Sequence, residues 1–429
     1  MKLLIKNGHI VDPKNKIDGI NDILIDGQAI ARIGVTINET ADKVIDAQGL
    51  HIFPGLIDAH VHLREPGYEY KEDIYSGSCA AVAGGFTSIA CMPNTNPIND
   101  NTSVTSYILQ RAKEVGLCNI YPIAAITKNL KGEELSEMGS LLEAGAVAFS
   151  DDGKPLENNR MMRLALAYAK NFNALIISHC EDKALANGGV MHEGYHSTIL
   201  GLKGIPAASE ELMVAREIML AEMLHTKVHI AHVSAAGSVE LVREAKTKGI
   251  QVTCETCPHY FSLTDEAVSN YDTDTKVNPP LRSENDVKAI IEGLKDGTID
   301  IIVTDHAPHH IDEKAVEYDI ALSGISGLET SFALAYSKLV LTDDLSLSEL
   351  IEKMSYKPSA LLGINGGSLS VGENACFTIA DLSASYEIDS SKFFSKGKNT
   401  PFNKMNVTGV IINTIYNGEI VFENGKILR

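Results

Sequence analysis

The sequence predicts an α/β protein, with a TIM (β/α)8 barrel and a small β-rich domain that both termini form. Eight short apolar runs recur in residues 54–367 and alternate with longer helix-like segments, which is the βα pattern of a parallel sheet. Eight such units over roughly 300 residues match the size and period of a TIM barrel. Strand-like segments occupy both ends of the chain, and its 429 residues exceed what one simple core usually holds.

Residues 1–53 and residues 368–429 both consist of short strand-like runs separated by residues typical of tight turns. Four dipeptides have the composition of two-residue hairpin turns: Asn7-Gly8, Asp26-Gly27, Asn417-Gly418 and Asn424-Gly425. We therefore expect the two ends to assemble into one composite β-domain. Two unrelated terminal extensions are the alternative that the residues leave open.

Residues 54–367 form the predicted barrel, and each candidate strand is an apolar run of seven or eight residues. The runs are LIDAHVH (56–62), TSIACMP (87–93), NIYPIAAI (119–126), AVAFSDD (146–152), ALIISHC (174–180), KVHIAHV (227–233), QVTCETC (251–257) and DIIVTDH (300–306). No low-complexity segment or long linker interrupts them.

Side chains with metal-ligand chemistry stand at the C-terminal ends of five of these runs, where barrel active sites are built. They are His60 and His62 in the first run, Asp152 in the fourth, His179 in the fifth, His232 in the sixth and Asp305 in the eighth. His60 and His62 are two residues apart, so they share one face of a strand. Four imidazoles and two carboxylates suit one or two divalent ions with a position left for water.

Each of these residues alone has a structural explanation. A single histidine at a strand end is more often half-buried and bonded to backbone, and Asp305 alone could cap a turn. Only one of Asp151 and Asp152 can face the barrel interior, and the residues themselves do not decide which. The joint pattern therefore carries the prediction of a metal centre, beside which Arg64 is a natural fork for a carboxylate.

Composition narrows the class of protein further. Apolar residues make up 44% of the chain and charged residues 22%, which is ordinary for a globular protein. The net charge of −19 argues against binding nucleic acid or an anionic membrane surface. No apolar run has the length of a membrane span or signal peptide, so we expect a cytoplasmic protein. The seven scattered cysteines do not indicate a disulfide framework.

Eight motifs distributed nearly end to end resemble those of one family. They are DAHVHLREP (58–66), MPNTNP (92–97), FSDDG (149–153), SHCE (178–181), HIAHVS (229–234), NPPLR (278–282), TDHAPH (304–309) and SKGKNTPF (395–402). Together they look like a dihydroorotase of the class I, bacterial type, within the amidohydrolase superfamily. The most specific of them are DAHVHLREP and TDHAPH.

The resemblance implies roles for individual residues. One zinc ion would be held by His60, His62 and Asp305, and a second by His179 and His232, with Asp152 contributing to both. The resemblance thereby favours Asp152 over Asp151. It also implies substrate contacts for His62, Arg64, Asn94, Asn278, His309, Ser323 and Gly324. Among these, Arg64, Asn94 and His309 would bind a carboxylate, Asn278 would meet the pyrimidine edge, and residues 309–324 would form a mobile loop over the site.

The implied reaction is the reversible cyclisation of N-carbamoyl-L-aspartate to L-dihydroorotate plus water in pyrimidine biosynthesis, by metal-activated hydroxide with Asp305 as general acid and base. The first alternative is another cyclic amidase, a hydantoinase, dihydropyrimidinase or allantoinase. Those relatives usually bridge their metals with a carboxylated lysine where this chain has Asp152. The second is a non-catalytic scaffold. A homodimer is one assembly that the sequence leaves open. Association with aspartate transcarbamoylase, which occurs in parts of the family, is another, and the sequence does not decide between them.

Overall fold

The computed structural model describes residues 1–428, which contain nineteen strands. They are β1 (Lys2–Asp12), β2 (Ile17–Asp26), β3 (Ala29–Gly34), β4 (Lys43–Asp46), β5 (His51–Pro54), β6 (Leu56–Val61), β7 (Phe86–Cys91), β8 (Asn119–Ala124), β9 (Ala148–Ser150), β10 (Ile176–Ser178), β11 (Met191–His192), β12 (Gly204–Ile205), β13 (Val228–Ile230), β14 (Val252–Thr256), β15 (Ile301–Ile302), β16 (Phe377–Glu387), β17 (Asn406–Tyr416), β18 (Glu419–Glu423) and β19 (Lys426–Ile427).

The same residues contain fourteen α-helices. They are α1 (Ile74–Ala83), α2 (Thr102–Val115), α3 (Met138–Glu143), α4 (Asn159–Lys170), α5 (Lys183–Ala186), α6 (Tyr195–Leu200), α7 (Ala208–Leu224), α8 (Ala236–Thr247), α9 (Pro258–Ser262), α10 (Glu284–Lys295), α11 (Ile311–Lys314), α12 (Ser331–Ala335), α13 (Leu347–Ile351) and α14 (Lys357–Leu362). Two π-helical segments, Tyr336–Val340 and Glu352–Tyr356, continue α12 and α13. None of the helices in residues 1–428 is long and apolar enough to cross a membrane.

Eight parallel strands form the barrel in the order β6, β7, β8, β9, β10, β13, β14 and β15. An isolated parallel bridge between Val61 and His306 joins the two edge strands, and the His62 N–H donates to the His306 carbonyl at 2.8 Å. Seven of the eight predicted runs contain a whole strand of this barrel, and the remaining strand, β7, begins one residue before its run. The predicted TIM barrel is therefore confirmed.

Apolar runs form these strands because both strand faces are buried. Along β7, Ile89 packs into the core between the barrel and its helices, and its neighbour Ala90 packs inside the barrel. Ile176 and Ile177 alternate in the same way along β10. Successive side chains of a strand point to opposite faces, so such a run needs apolar residues at nearly every position.

The second sheet takes strands from both ends of the chain, in the order β19, β18, β17, β16, β5, β1, β2 and β3, with β4 also pairing with β1. The antiparallel pair β5 and β16 joins the two ends, with Phe377 opposite Pro54 and Ile379 opposite Ile52. The predicted β-rich unit built from both termini is confirmed. The domain boundaries at residues 53/54 and 367/368 stay a prediction, which this pairing supports.

Asn417-Gly418 and Asn424-Gly425 connect consecutive strands as predicted. The turn between β2 and β3 is Gly27-Gln28, one residue later than predicted, and the turn predicted at Asn7-Gly8 is wrong. Asn7 and Gly8 lie inside β1, at a bulge that shifts the register with β2. A Cβ on Gly8 would come within 2.3 Å of Cδ1 of Ile52, so glycine serves here to let β5 approach closely. The chain reverses between β1 and β2 through residues 13–16 instead.

Buried hydroxyl groups tie this second sheet to the barrel. Thr378 Oγ1 donates to the Gly85 carbonyl at 2.7 Å, and Thr414 Oγ1 donates to the Val82 carbonyl at 2.6 Å. Both threonines are fully buried. The acceptors lie at the end of α1 and in the turn before β7, so the second sheet packs against the first βα unit of the barrel.

Candidate active site

The six predicted metal ligands lie together at the C-terminal ends of the barrel strands. His60 lies in β6, and His62 and His179 directly follow the ends of their strands. Asp152 and His232 lie two residues beyond their strands, and Asp305 lies three residues beyond β15. All six are buried, with Asp305 the most accessible at 9%. The imidazole centroids of His60 and His62 are 5.4 Å apart, and those of His60 and His232 are 5.3 Å apart.

The ligand atoms form two adjoining groups. In the first, Asp305 Oδ1 lies 3.0 Å from His62 Nε2 and 3.6 Å from His60 Nε2. In the second, Asp152 Oδ1 lies 3.5 Å from His60 Nε2, 3.4 Å from His232 Nε2 and 3.6 Å from His179 Nδ1. Asp152 Oδ2 lies 3.5 Å from His62 Nε2, so Asp152 stands between the two groups.

These distances fit a metal centre. Ligand atoms at about 2.1 Å from a tetrahedral zinc ion are roughly 3.4 Å from one another, close to most of the separations in both groups. His60 Nε2 and Asp152 Oδ1 are buried and make no hydrogen bond within residues 1–428. Buried polar atoms without a partner are costly. The residues therefore fit one or two divalent cations.

The electrostatics of the site also favour a cation. Burial lowers the pKa of His60, but the negative charges of Asp152 and Glu255 outweigh this and raise it well above the ordinary value. Burial raises the pKa of Asp305, but the hydrogen bond from His62 and the positive charge of His60 outweigh it and lower the pKa to about 2. The carboxylate of Asp305 is thus ionised at neutral pH and can accept a proton or bind a metal.

The neighbouring residue Asp151 has a structural role. Its carboxylate accepts the N–H groups of Ile126 at 2.8 Å and Thr127 at 3.0 Å, and the hydroxyl of Thr127. It is turned towards the end of β8 and away from the histidines. Of the two neighbouring aspartates, Asp152 is the one that faces the metal-ligand cluster.

Arg64 lies beside this cluster and keeps most of its donors free. It is half-buried, and its Nε donates to the Pro308 carbonyl at 3.3 Å. Burial lowers the pKa of Arg64, whereas the nearby charges of Asp305 and Asp152 oppose that shift. No carboxylate of residues 1–428 lies within 4 Å of its guanidinium. An anionic ligand beside the cluster could therefore bind to Arg64.

Three other predicted substrate residues contact the ligands or the loop. Asn94 Oδ1 accepts a hydrogen bond from His62 Nδ1 at 2.9 Å, which leaves His62 Nε2 facing Asp305. Asn278 Nδ2 lies 3.5 Å from His179 Nε2. His309 Nε2 donates to the Ser323 carbonyl at 2.8 Å. Burial and then the charge of Arg64 lower the pKa of His309 to about 3, so its imidazole is neutral.

The predicted loop, residues 309–324, contains α11 and returns to the site at Ser323 and Gly324. Gly324 has φ +148°, and a Cβ there would meet the Ala307 carbonyl oxygen at 2.5 Å. The Gly324 N–H donates to the Lys276 carbonyl at 2.9 Å, and its own carbonyl accepts from Asn399 Nδ2 at 2.8 Å. The mobility of this loop stays a prediction.

Four polar residues at the site were not foreseen from the sequence. Glu255 contacts His60 and His229, Glu181 lies 3.6 Å from His179, and buried His259 leaves its Nε2 without a partner in the described chain. A signal for Glu255 was present, because it is a charged residue inside an apolar strand. We found no sequence signal that separates His259 from a packing residue.

Comparison with known proteins agrees with this geometry. A model of the dihydro-orotase-like family matches residues 49–238. Dihydroorotase of Acetivibrio thermocellus is 55% identical over 426 residues, which cover 99% of this chain and 100% of that protein. Dihydroorotase of Ruminiclostridium cellulolyticum is 54% identical over 428 residues, with 100% of both chains covered. The chain belongs to the dihydroorotase family.

A solved structure shows the same fold in a related enzyme. The L-hydantoinase (dihydropyrimidinase) from Arthrobacter aurescens has a TM-score of 0.89 and 28% identity, and the match covers 100% of this chain and 97% of that one. In this chain a carboxylate, that of Asp152, stands between the histidines of the metal-ligand cluster. Lys154 is exposed and does not reach the cluster.

Proposed function

We propose that the protein is a dihydroorotase, which catalyses the reversible closure of N-carbamoyl-L-aspartate to L-dihydroorotate plus water in pyrimidine biosynthesis. The observation that carries the proposal is the unneutralised guanidinium of Arg64 beside six converging metal ligands. Both molecules keep one carboxylate that takes no part in the reaction, and a methylene group separates the carbon that bears it from the carbonyl that reacts. A half-buried arginine loses part of its hydration, and only a ligand with a carboxylate would replace it, so the site favours an acidic ring over a neutral one.

We further propose two zinc ions per subunit, one with His60, His62 and Asp305 and one with His179 and His232, with Asp152 contributing to both. Such ions lower the pKa of bound water towards 7 and polarise a carbonyl oxygen. Histidine and aspartate sites also accept manganese or cobalt, so the choice of zinc rests on the family. A homodimer and association with aspartate transcarbamoylase stay predictions of the same kind.

Asp305 is the proposed general acid and base. Its carboxylate is ionised, and Oδ1 lies 3.0 Å from His62 Nε2. The residue is 9% exposed, so a bound substrate can reach it. In the hydrolytic direction it accepts the proton of the attacking water and passes it to the departing ring nitrogen. In ring closure the same carboxyl returns the proton to the oxygen that leaves as water.

The remaining contacts orient the substrate. Arg64, Asn94 and neutral His309 would hold the carboxylate. Asn278 would meet the ring edge, and the backbone of Ser323 and Gly324 would close over it. These groups fix the acidic end of the substrate, while Asp305 and the metal ligands surround the reacting amide.

A substrate panel tests this proposal. Turnover of dihydroorotate, dihydrouracil, hydantoin and allantoin is measured side by side, with metal content determined on the same sample. We expect turnover of dihydroorotate to exceed that of the neutral rings by at least about 100-fold. Equal or faster turnover of hydantoin or dihydrouracil would assign the protein to the other cyclic amidases. A metal-free protein without turnover would be a scaffold.

A further inference from the structure

A buried chain of polar groups runs from the metal-ligand cluster into the barrel wall. Glu255 Oε1 lies 2.6 Å from His60 Nδ1, and Glu255 Oε2 lies 3.0 Å from His229 Nε2. His229 Nδ1 in turn lies 2.8 Å from Thr253 Oγ1. Glu255, His60 and His229 are all 0% exposed. No role for Glu255 or His229 follows from the proposed reaction itself.

The donors and acceptors of these hydrogen-bonded side chains can be assigned in one consistent way. Glu255 accepts from His60 Nδ1, from His229 Nε2 and, at 3.3 Å, from the backbone N–H of His232. Three N–H groups thus converge on the two oxygens of Glu255, which is the number and kind of partner that a carboxylate accepts. The Thr253 hydroxyl then donates to His229 Nδ1. Among the side-chain polar atoms of His60, Glu255, His229 and Thr253, only His60 Nε2 lacks a hydrogen-bond partner, and it faces the ligand cluster.

We infer that Glu255, supported by His229, is a positioning residue that holds His60 as the Nδ1–H tautomer and directs its Nε2 at the metal. This inference rests on the metal centre of the proposed function. A carboxylate behind a ligating histidine fixes the ring orientation and raises the basicity of the ligand nitrogen. Its loss typically weakens metal binding by 10- to 100-fold.

The two contacts of the Glu255 carboxylate distinguish a positioning role from a purely structural one. A purely structural ion pair would need only the contact between Glu255 and His229. Here Glu255 divides its oxygens, with one on a ligand and the other on His229, so that the carboxylate cannot rotate away from His60. The side chain of His229 bonds to Glu255 and Thr253 and to none of the six ligands, so its effect on the metal should be transmitted through Glu255.

Three variants of the full chain test the inference. Glu255→Gln keeps the shape but loses the charge and one acceptor oxygen. His229→Gln retains an N–H donor at the place of Nε2, whereas His229→Leu removes it. Glu210→Gln is the matched control, because Glu210 is equally buried at 3% exposure and accepts the backbone N–H groups of Ser234 and Ala235 without touching a ligand.

The readouts are zinc affinity of each metal-free protein by chelator competition, the visible absorption of the Co²⁺-substituted protein, and the thermal midpoint. We expect Glu255→Gln to weaken one of the two zinc-binding steps by 10- to 100-fold and to shift the absorption spectrum of the Co²⁺-substituted protein. His229→Leu should weaken it by about 10-fold and His229→Gln by less than about 3-fold. Glu210→Gln should lower the thermal midpoint with unchanged affinity.

The possible failures can be told apart. Wild-type protein that binds no metal and does not turn over dihydroorotate would overturn the proposed function and the inference with it. Wild-type protein that binds zinc and turns over, with Glu255→Gln and His229→Leu binding zinc as tightly, would overturn the inference alone. If Glu255→Gln does not fold, the comparison of His229→Leu with His229→Gln decides.

Discussion

Arg64 is the residue on which substrate selection depends in the proposed site. Its guanidinium is half-buried, donates only to Pro308 and forms no ion pair within residues 1–428. We predict that Arg64→Ala lowers kcat/KM for dihydroorotate by about 100- to 1,000-fold, because a charged hydrogen-bonding group is worth roughly 3–4 kcal/mol in such a site. Steady-state kinetics and metal analysis on the same sample check this.

Metal content is the control for that variant. Arg64 is not a ligand, so zinc content should stay at the wild-type level. Arg163→Ala on the exposed side of α4 should change neither quantity. Loss of metal from Arg64→Ala would instead assign Arg64 to the architecture of the site.

Glu329 makes stability depend on pH. Burial raises the pKa of this carboxyl from 4.5 to about 7, although the N–H groups of Phe394 and Ser395 oppose the shift. The folded protein therefore keeps a proton that the unfolded chain releases between these values, and stability falls as pH rises through that window. We predict that Glu329→Gln removes about 2 kcal/mol of this fall between pH 5 and 8.

Urea unfolding of both proteins at four pH values measures the difference. The stability advantage of the wild type over the variant should shrink steadily from pH 5 to pH 8. Parallel pH profiles would show that Glu329 is ionised in the folded protein throughout.

At the residue scale, the metal ligands could be predicted from the sequence better than the residues that hold those ligands in place. The alternation of His60 and His62 and the repeated placement of polar residues at strand ends were sufficient to identify the cluster. The choice between Asp151 and Asp152 was not, because it depends on which aspartate meets the N–H groups at the end of β8. Glu255 escaped notice because its partners are distant in the chain.

At the scale of elements, the eight barrel strands were predictable because burial on both faces demands continuous apolar runs. The dipeptide Asn7-Gly8 was misread because a turn and a bulge use the same residues. Which of them forms depends on the approach of Ile52 from β5, and that contact is not local in the chain.

The return of the 309–324 loop depends on the glycine at its end. Gly324 has φ +148°, and an added Cβ would press on the Ala307 carbonyl oxygen and lie 3.0 Å from His309 Nε2. We predict that Gly324→Ala displaces the loop, raises KM for dihydroorotate more than 10-fold and lowers the free energy of unfolding by about 1–3 kcal/mol. Kinetics and urea unfolding measure both effects.

Gly188→Ala provides the matched control. Gly188 also has positive φ, at +69°, but a Cβ there meets nothing within 4 Å. It should lose about 1 kcal/mol of stability through backbone strain with no change in KM. A similar KM for both variants would show that the loop tolerates displacement at Gly324.

For the whole molecule, the distribution of cysteines provides a test of cooperative unfolding. Six of the seven thiols are buried and Cys376 is half-buried. Burial raises the pKa of Cys79 and Cys376 to about 11 and of Cys91 and Cys118 to about 12. We predict that a disulfide reagent at pH 8 labels the native protein very slowly, because less than about one thiol in a thousand is ionised.

In denaturant, all seven thiols should react together within the unfolding transition. Absorbance during titration of the thiols, with and without guanidinium chloride, measures this. Rapid labelling of two or more thiols in the native protein would indicate local opening of the barrel or of the second sheet.

The pairing of β5 with β16 has a consequence for synthesis on the ribosome. Roughly 320 residues separate Pro54 from Phe377, and at about 5–20 residues per second their translation takes about 16 to 64 s. Throughout that interval the nascent chain carries β5 with one edge unpaired, and an unpaired apolar edge invites association with other chains. The last strands to be made thus complete a sheet begun by the first, so the edge of β5 stays open to other chains until about the last eighth of the polypeptide emerges.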